Sequence, residues 1–382
     1  MPDAPDPAAK PPREARVDLL RGFSLLTIFA DHIPGNDLST ITLRNFGFSD
    51  AAELFVLLAG FASMAAYGRS FSREGIVPGL RRIVVRCVRL YFYQAGMILV
   101  TLGILHVWSR SFGLAPLGME PIMDGGLRAI RQSLMMESLP AYLDILPLYI
   151  VLLACFPLIY AGMRRSAAAT FVVSALVWGA AHLAWSPHLI NAIDHQPWFF
   201  NPFAWQFLFT IGAVLYVAMT RSGGSLPRHG WLVALCWLYL AVAFLETAPW
   251  HDWGLPDLSP IDMAEPDKTN LSPLRLLHVL ALVYVALTSD WLLRAPSHVL
   301  GRAFVACGRH SLEVFSAGTL LSMVGRLAFR TWGFSWPMQL AVNGGGIVLL
   351  VALGMGLDAL KVRPSRPVGP PEPAAPAERA SA

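Results

Sequence analysis

Long apolar runs separated by short polar connections dominate the chain, and their length carries the first conclusion. Crossing roughly 30 Å of hydrocarbon takes about 20 helical residues, with 17 to 25 the working range. Ten runs meet that length, at 17–34, 50–68, 84–107, 142–162, 168–186, 201–220, 229–247, 271–290, 310–330 and 336–360. The pattern predicts an all-α polytopic membrane protein with about ten transmembrane helices. The first run is not a cleavable signal peptide. It has a basic flank, but no small-residue cleavage site follows it, and the polar pair Asp31 and His32 ends it.

Composition agrees with this. Of 382 residues, 55% are hydrophobic and 14% charged, too little polar surface to coat a water-soluble globule of that size. A single transmembrane domain over 16–360 is expected. It lies between an N-terminal segment, 1–15, and a tail, 361–382, both rich in Pro and Ala and read as disordered. The net charge of +4 is spread over short loops rather than gathered on one face, which argues against nucleic acid as a partner. Cys87, Cys155, Cys236 and Cys307 lie in or beside apolar runs with no CxxC pair and no histidine cluster, so free thiols and no metal site are expected.

Charge in the connections sets the orientation. Arg13 and Arg16, then Arg69, Arg73, Arg81 and Arg82, then Arg164 and Arg165, Arg221 and Arg228, Arg294 and Arg302, and Lys361 and Arg363 occupy alternate connections. The 248–270 connection instead holds Asp252, Asp257, Asp262, Glu265 and Asp267 against Lys268 alone. The positive-inside rule then places both termini in the cytoplasm, consistent with an even number of spans. Two connections on the other side, 108–141 and 248–270, are long enough to form a lid or binding surface. Within the first of them, 123–136 has the spacing of an interfacial amphipathic helix.

Depth gives the polar residues meaning. Arg21 and His32 are separated on one helix by about 16 Å of rise, so an arginine near the cytoplasmic face puts the histidine at mid-membrane or in the outer half. A histidine there is costly without a partner or a use. It reads either as a general base or as a packing histidine bonded to a neighbouring carbonyl. Asp50 and Glu53 share a face at the outer start of the second run. They read either as supports for His32 or as helix-capping acids. Arg82, Arg86 and Arg89 form a stripe suited to phosphate groups, although such rows also serve as topology determinants. Asp144 opens the fourth run as a pocket acid or a helix-start acid, and His310 reads as structural.

Together these residues resemble a known family. Arg16-Val-Asp18-Leu-Leu-Arg21-Gly22, Asp31-His32-Ile-Pro-Gly-Asn36, Gly47-Phe-Ser-Asp50-Ala-Ala-Glu53-Leu-Phe-Val and Arg86-Cys-Val-Arg89 are similar to the OpgC family, within the acyltransferase-3 class of transmembrane acyltransferases. Asp144-Ile-Leu-Pro-Leu-Tyr149, Asn201-Pro-Phe-Ala-Trp-Gln206, Pro273-Leu-Arg275-Leu-Leu-His278 and Gly308-Arg-His-Ser311-Leu-Glu313 extend the likeness over about Arg16 to Leu360. The resemblance implies a succinyltransferase of osmoregulated periplasmic glucans in the bacterial inner membrane, with acyl-CoA, most simply succinyl-CoA, as cytoplasmic donor. Carried onto this sequence, it implies His32 as base, Glu53 or Asp50 as its support, and Arg86, Arg89 and Arg21 for the CoA moiety. Asp144, Gln206 and Arg275 are then the candidates for the acceptor pocket. A positive residue near the acyl site would favour a dicarboxylic acyl group, and Arg275 and Arg44 are the candidates for it. With no large soluble domain after the tenth run, direct transfer from CoA to acceptor is the economical route. The competing reading is a proton-coupled transporter or flippase of small anions or sugars, against which no inverted repeat is evident.

Overall fold

The computed structural model describes residues 14–113, 118–183, 188–261 and 263–361. The N-terminal segment up to Arg13 and the tail after Lys361, both expected to be disordered, lie outside them. Among the described residues the chain is helical, in the order α1 Ala15–Asp31, α2 Ala51–Ser63, α3 Arg69–Arg73, α4 Ile76–Phe112, α5 Glu120–Asp124, α6 Gly126–Leu134, α7 Ile145–Arg165, α8 Ala167–Ala180, α9 Pro202–Arg221, α10 Gly230–Thr247, α11 Pro273–Leu287, α12 Asp290–Arg294, α13 Val299–Arg309, α14 Ser311–Trp332 and α15 Trp336–Lys361. Local chemistry sets several boundaries. Asp50, Ser166 and Asn201 cap α2, α8 and α9 with their side chains, and prolines open α9 and α11, where a missing N–H costs nothing. Gly113, at φ 66°, ends α4 in the left-handed conformation that glycine adopts without penalty.

Each of the ten apolar runs contains a helix. Seven helical segments are long and apolar enough to cross a membrane, the first being α2 continued through a π-helical turn and α3 to Arg73. An eighth is reached if α11 and the Asp290–Ser297 segment, which meet at 63°, count as one bent span. The other two runs hold α1, with 17 residues, and α8, with 14, each shorter than a full crossing. α4, at about 55 Å, exceeds one. Large apolar side chains such as Leu158, Val172, Leu176, Trp237 and Val348 stand exposed on the helices, the surface that lipid covers in a membrane protein.

Two close helix contacts frame the interior. A Cβ on Gly22 of α1 would sit 1.9 Å from the Phe304 carbonyl oxygen, and one on Gly308 of α13 would sit 1.8 Å from that of Asp18. Backbones approach this closely only where side chains are absent, the usual way helices pack in lipid. Gly60 and Gly212 do the same for α2 and α9. The connections are pinned from inside. The fully buried Trp205 donates its indole N–H to the Lys268 and Thr269 carbonyls, Trp178 donates to Leu271, and Gln94 of α4 donates to the Leu143 carbonyl at 2.7 Å. Asn36 and Asn343 exchange amide hydrogen bonds at 2.8 and 2.7 Å, fastening the segment after α1 to α15.

Candidate functional site

The pinned connections surround a cavity of about 700 Å³. It opens among the C-terminus of α1, the N-termini of α2, α7 and α11, and the 248–270 connection. Its wall mixes polar and apolar groups: Asp31, His32, Arg44, Ser49, Asp50, Tyr142, Asp144, Glu246, Glu265, Lys268 and Arg275 line it, and Ile28, Phe199, Phe200 and Phe315 contribute apolar surface. Of the residues expected at a site, His32, Asp50, Asp144 and Arg275 therefore meet in one place, with Arg44 beside them.

His32 ends α1, donating its backbone N–H to the Ile28 carbonyl at 3.0 Å. Its Nδ1 is buried and has no hydrogen-bond partner among the described residues. The ring packs edge-on against Tyr142, centroid to centroid 5.0 Å. Tyr142 is itself held at φ 67°, a conformation that costs a bulky residue of order 1–3 kcal/mol and persists only where surroundings enforce it.

The two acids expected to support His32 are engaged elsewhere. Asp50 and Glu53 form a capping box: the Ala52 N–H donates to Asp50 Oδ1 at 2.8 Å, and the Asp50 N–H donates to Glu53 Oε2 at 2.9 Å. Their remaining oxygens take cations. Arg275 Nε donates to Glu53 Oε1 at 2.6 Å, Arg275 Nη2 reaches Asp50 Oδ2 at 3.4 Å, and Lys268 Nζ also donates to Asp50 Oδ2. Two buried carboxylates are thus matched by two cations, which a low-dielectric interior requires. A guanidinium outbids a neutral imidazole for such an oxygen because its hydrogen bond carries full charge. On Lys268, burial presses the pKa down, but the Asp50 and Glu53 carboxylates outweigh it and hold the ammonium above the ordinary lysine value.

Other expected residues lie apart from the cavity. Arg89 ion-pairs with Glu313 at 2.5 Å in the first turn of α14, whose Phe315 lines the cavity. Arg86 shares that stretch of α4, half-buried. Arg21 donates to the Leu58 carbonyl at 3.0 Å and sits 3.8 Å from Asp18. Gln206 does not reach the cavity wall: its amide is spent on Ser174, accepting from Oγ at 2.5 Å and donating to the carbonyl at 2.8 Å, which fastens α8 to α9. A glutamine between two apolar helices satisfies itself against the nearest polar neighbour, and spacing alone did not say which face it takes.

The comparison with family models decides the kinship. A model described as OpgC protein matches residues 13–362. The chain belongs to the OpgC family. No curated protein and no solved structure matches it. Family membership makes the chain a glucan-modifying acyltransferase in kind, and the cavity is where acids, bases and hydroxyls of distant segments converge. Sequence reasoning passed over several residues on or behind its wall. Lys268 sits in a connection with no helical pattern to mark it, and Tyr142, at the first position of the 142–162 run, reads as part of a span. The Ser49 hydroxyl lies 2.7 Å from His278 Nδ1, a contact between positions 229 residues apart. Arg326 lies buried in α14 with its guanidinium 4.1 Å from the centroid of the Tyr142 ring; an arginine inside an apolar run was the available signal.

Proposed function

We propose that this membrane protein moves a small acyl group, succinyl in the first instance, from acyl-CoA on the cytoplasmic side to a hydroxyl of a periplasmic glucan. The observation that carries the reading is His32: in a chain of the OpgC family, an imidazole with an unpartnered Nδ1 lines a polar cavity deep enough to admit a sugar. In this reading the helices form ten spans with both termini cytoplasmic. The cavity then faces the periplasm, and the arginine-rich ends of α3 and α4 face the cytoplasm.

The chemistry follows from those positions. The acceptor hydroxyl enters among Asp144, Glu265 and Lys268, groups able to bind a carbohydrate through charged hydrogen bonds. His32 takes the hydroxyl proton as the oxygen attacks the thioester carbonyl carbon, the C–S bond breaks, and the departing thiolate recovers the proton from the imidazolium. Arg86, Arg89 and Arg21 hold the CoA phosphates below. The Asp50–Glu53–Arg275–Lys268 cluster acts as scaffold, fixing the N-terminus of α2 to that of α11.

The test is direct. Protein purified in detergent is incubated with radiolabelled succinyl-CoA and periplasmic glucan, and label is followed into the glucan fraction. Transfer that requires both substrates and falls when Arg86→Ala and Arg89→Ala weaken CoA binding supports the reading. A folded, monodisperse protein that leaves the glucan unlabelled overturns it.

A further inference from the structure

Three arginines are buried among the described residues: Arg16, Arg275 and Arg326. Arg16 is held by Glu14 at 2.6 Å and the Gly224 carbonyl at 2.8 Å, and Arg275 by Glu53 and Asp50. Arg326 has no carboxylate within ion-pair distance among the described residues, and its Nε is sealed from solvent with no hydrogen-bond partner. A buried guanidinium without a counter-charge is expensive, and such groups are kept where an anion arrives to pair with them.

The surroundings define where that anion would sit. The guanidinium carbon lies over the Tyr142 ring at 4.1 Å, and the same ring packs on His32 at 5.0 Å. A cation–π contact consumes none of the N–H donors of a guanidinium, the groups that take a carboxylate in a two-pronged bond. Tyr142 keeps this position although its backbone is strained, so the arrangement is imposed by the fold. The other cations near the acyl centre are less suited: Arg275 and Lys268 are already matched to Asp50 and Glu53, and Arg44 on the cavity wall is exposed to solvent, where pairing with an anion gains little.

We infer that Arg326 binds the distal carboxylate of a dicarboxylic acyl group whose carbonyl lies at His32, so that the site selects an anionic acyl donor over a neutral one. This rests on the acyltransferase reading and assigns a residue to the selection of its donor. Imidazole and guanidinium contact one and the same side chain, at 5.0 and 4.1 Å. Tyr142 acts as the spacer that keeps the two apart.

The experiment compares succinyl-CoA with acetyl-CoA on the purified full-length protein, measuring both acyl transfer to glucan and donor binding by calorimetry. Arg326→Gln is expected to lower the succinyl-to-acetyl ratio of kcat/KM by about 30-fold or more, the low end for truncating one partner of a buried charge pair. Arg326→Lys, which keeps the charge but not the fork, should recover part of it. An equal loss with both donors, or an unchanged ratio, overturns the assignment. If Arg326→Gln fails to fold, the Arg326→Lys ratio decides alone, and a ratio equal to wild type overturns it. Binding separates this inference from the reading beneath it. A wild-type protein that transfers neither group, yet binds succinyl-CoA in preference to acetyl-CoA through Arg326, keeps the anion site and sinks the transferase.

Discussion

Removing the Arg275 guanidinium should be among the most damaging single changes to the fold. Arg275→Met keeps an unbranched apolar stem but removes the guanidinium, and leaves Glu53, which is 0% exposed, without its cation, and Asp50 with Lys268 alone. The cluster goes from two carboxylates and two cations to an uncompensated negative charge inside the protein. Breaking a buried pair from one side costs about 3–5 kcal/mol, because the remaining charge loses its partner without regaining water. Glu53→Gln in the same chain removes the stranded charge, and its side-chain oxygen can still accept from the Asp50 N–H that completes the cap. The double variant should therefore be more stable than Arg275→Met alone, with a coupling of about 1–3 kcal/mol. Equilibrium unfolding in mixed SDS micelles measures this, with the 12 tryptophans as the fluorescent signal. If Arg275→Met unfolds within about 1 kcal/mol of wild type, or the double variant gains nothing, the cluster is solvated through the cavity and does not hold α2 to α11.

Four further outcomes test the rest. His32→Ala should lower acyl transfer by about 100- to 10,000-fold, the usual share of a general base, while donor binding measured by calorimetry persists. Gly308→Ala should destabilise the protein by about 1–3 kcal/mol, read as a lower unfolding midpoint, since its new Cβ meets the Asp18 carbonyl oxygen at 1.8 Å. Because the folded pKa of Lys268 is raised, its contribution to stability is complete below the unfolded lysine value of about 10.4 and is lost as pH rises through the higher folded value. Lys268→Met should flatten that alkaline loss in a pH series of unfolding midpoints. Finally, in a variant lacking the four native cysteines, a cysteine at exposed Asp257 should react with an impermeant maleimide applied to the periplasmic face, and one at exposed Arg73 only after lysis.

Much of the architecture was legible because hydrophobic length is a one-dimensional signal. Each apolar run contains a helix, and even the amphipathic 123–136 stretch contains α6. α13 was not foreseen: at 11 residues it is too short to cross, and it shows its purpose only through the Gly22 and Gly308 contact with α1. The site was legible residue by residue but not pair by pair. Position alone marked His32, Asp50 and Asp144, since polar groups at the ends of apolar helices are few and costly, and the family resemblance added Arg275. Which cation would claim Glu53 depended on α11, 222 residues away, and helical spacing carries no information about that. Gln206 illustrates the reverse error: its neighbourhood in sequence looked like a site, and its neighbour in space is Ser174.

In the proposed reaction the placement of these residues at helix ends is itself part of the chemistry. The N-termini of α2, α7 and α11 bring the positive ends of three helix dipoles to the cavity wall, and Asp50, Asp144 and the first-turn Arg275 stand at those ends. His32 closes α1 from the opposite sense, at a C-terminus where partial negative charge favours a cation. A hydroxyl that surrenders its proton in this cavity creates an imidazolium at the negative end of one helix and an oxyanion among the positive ends of three others. Both developing charges meet dipoles already oriented before the reaction begins, which is the arrangement that lowers a barrier without reorganisation. Moving the base by one helical turn, to Ile28, would keep it in α1 and on the cavity wall but take it from the helix terminus. An Ile28→His, His32→Ala variant should therefore bind donor and transfer no acyl group, and measurable transfer would refute the dependence on the helix end.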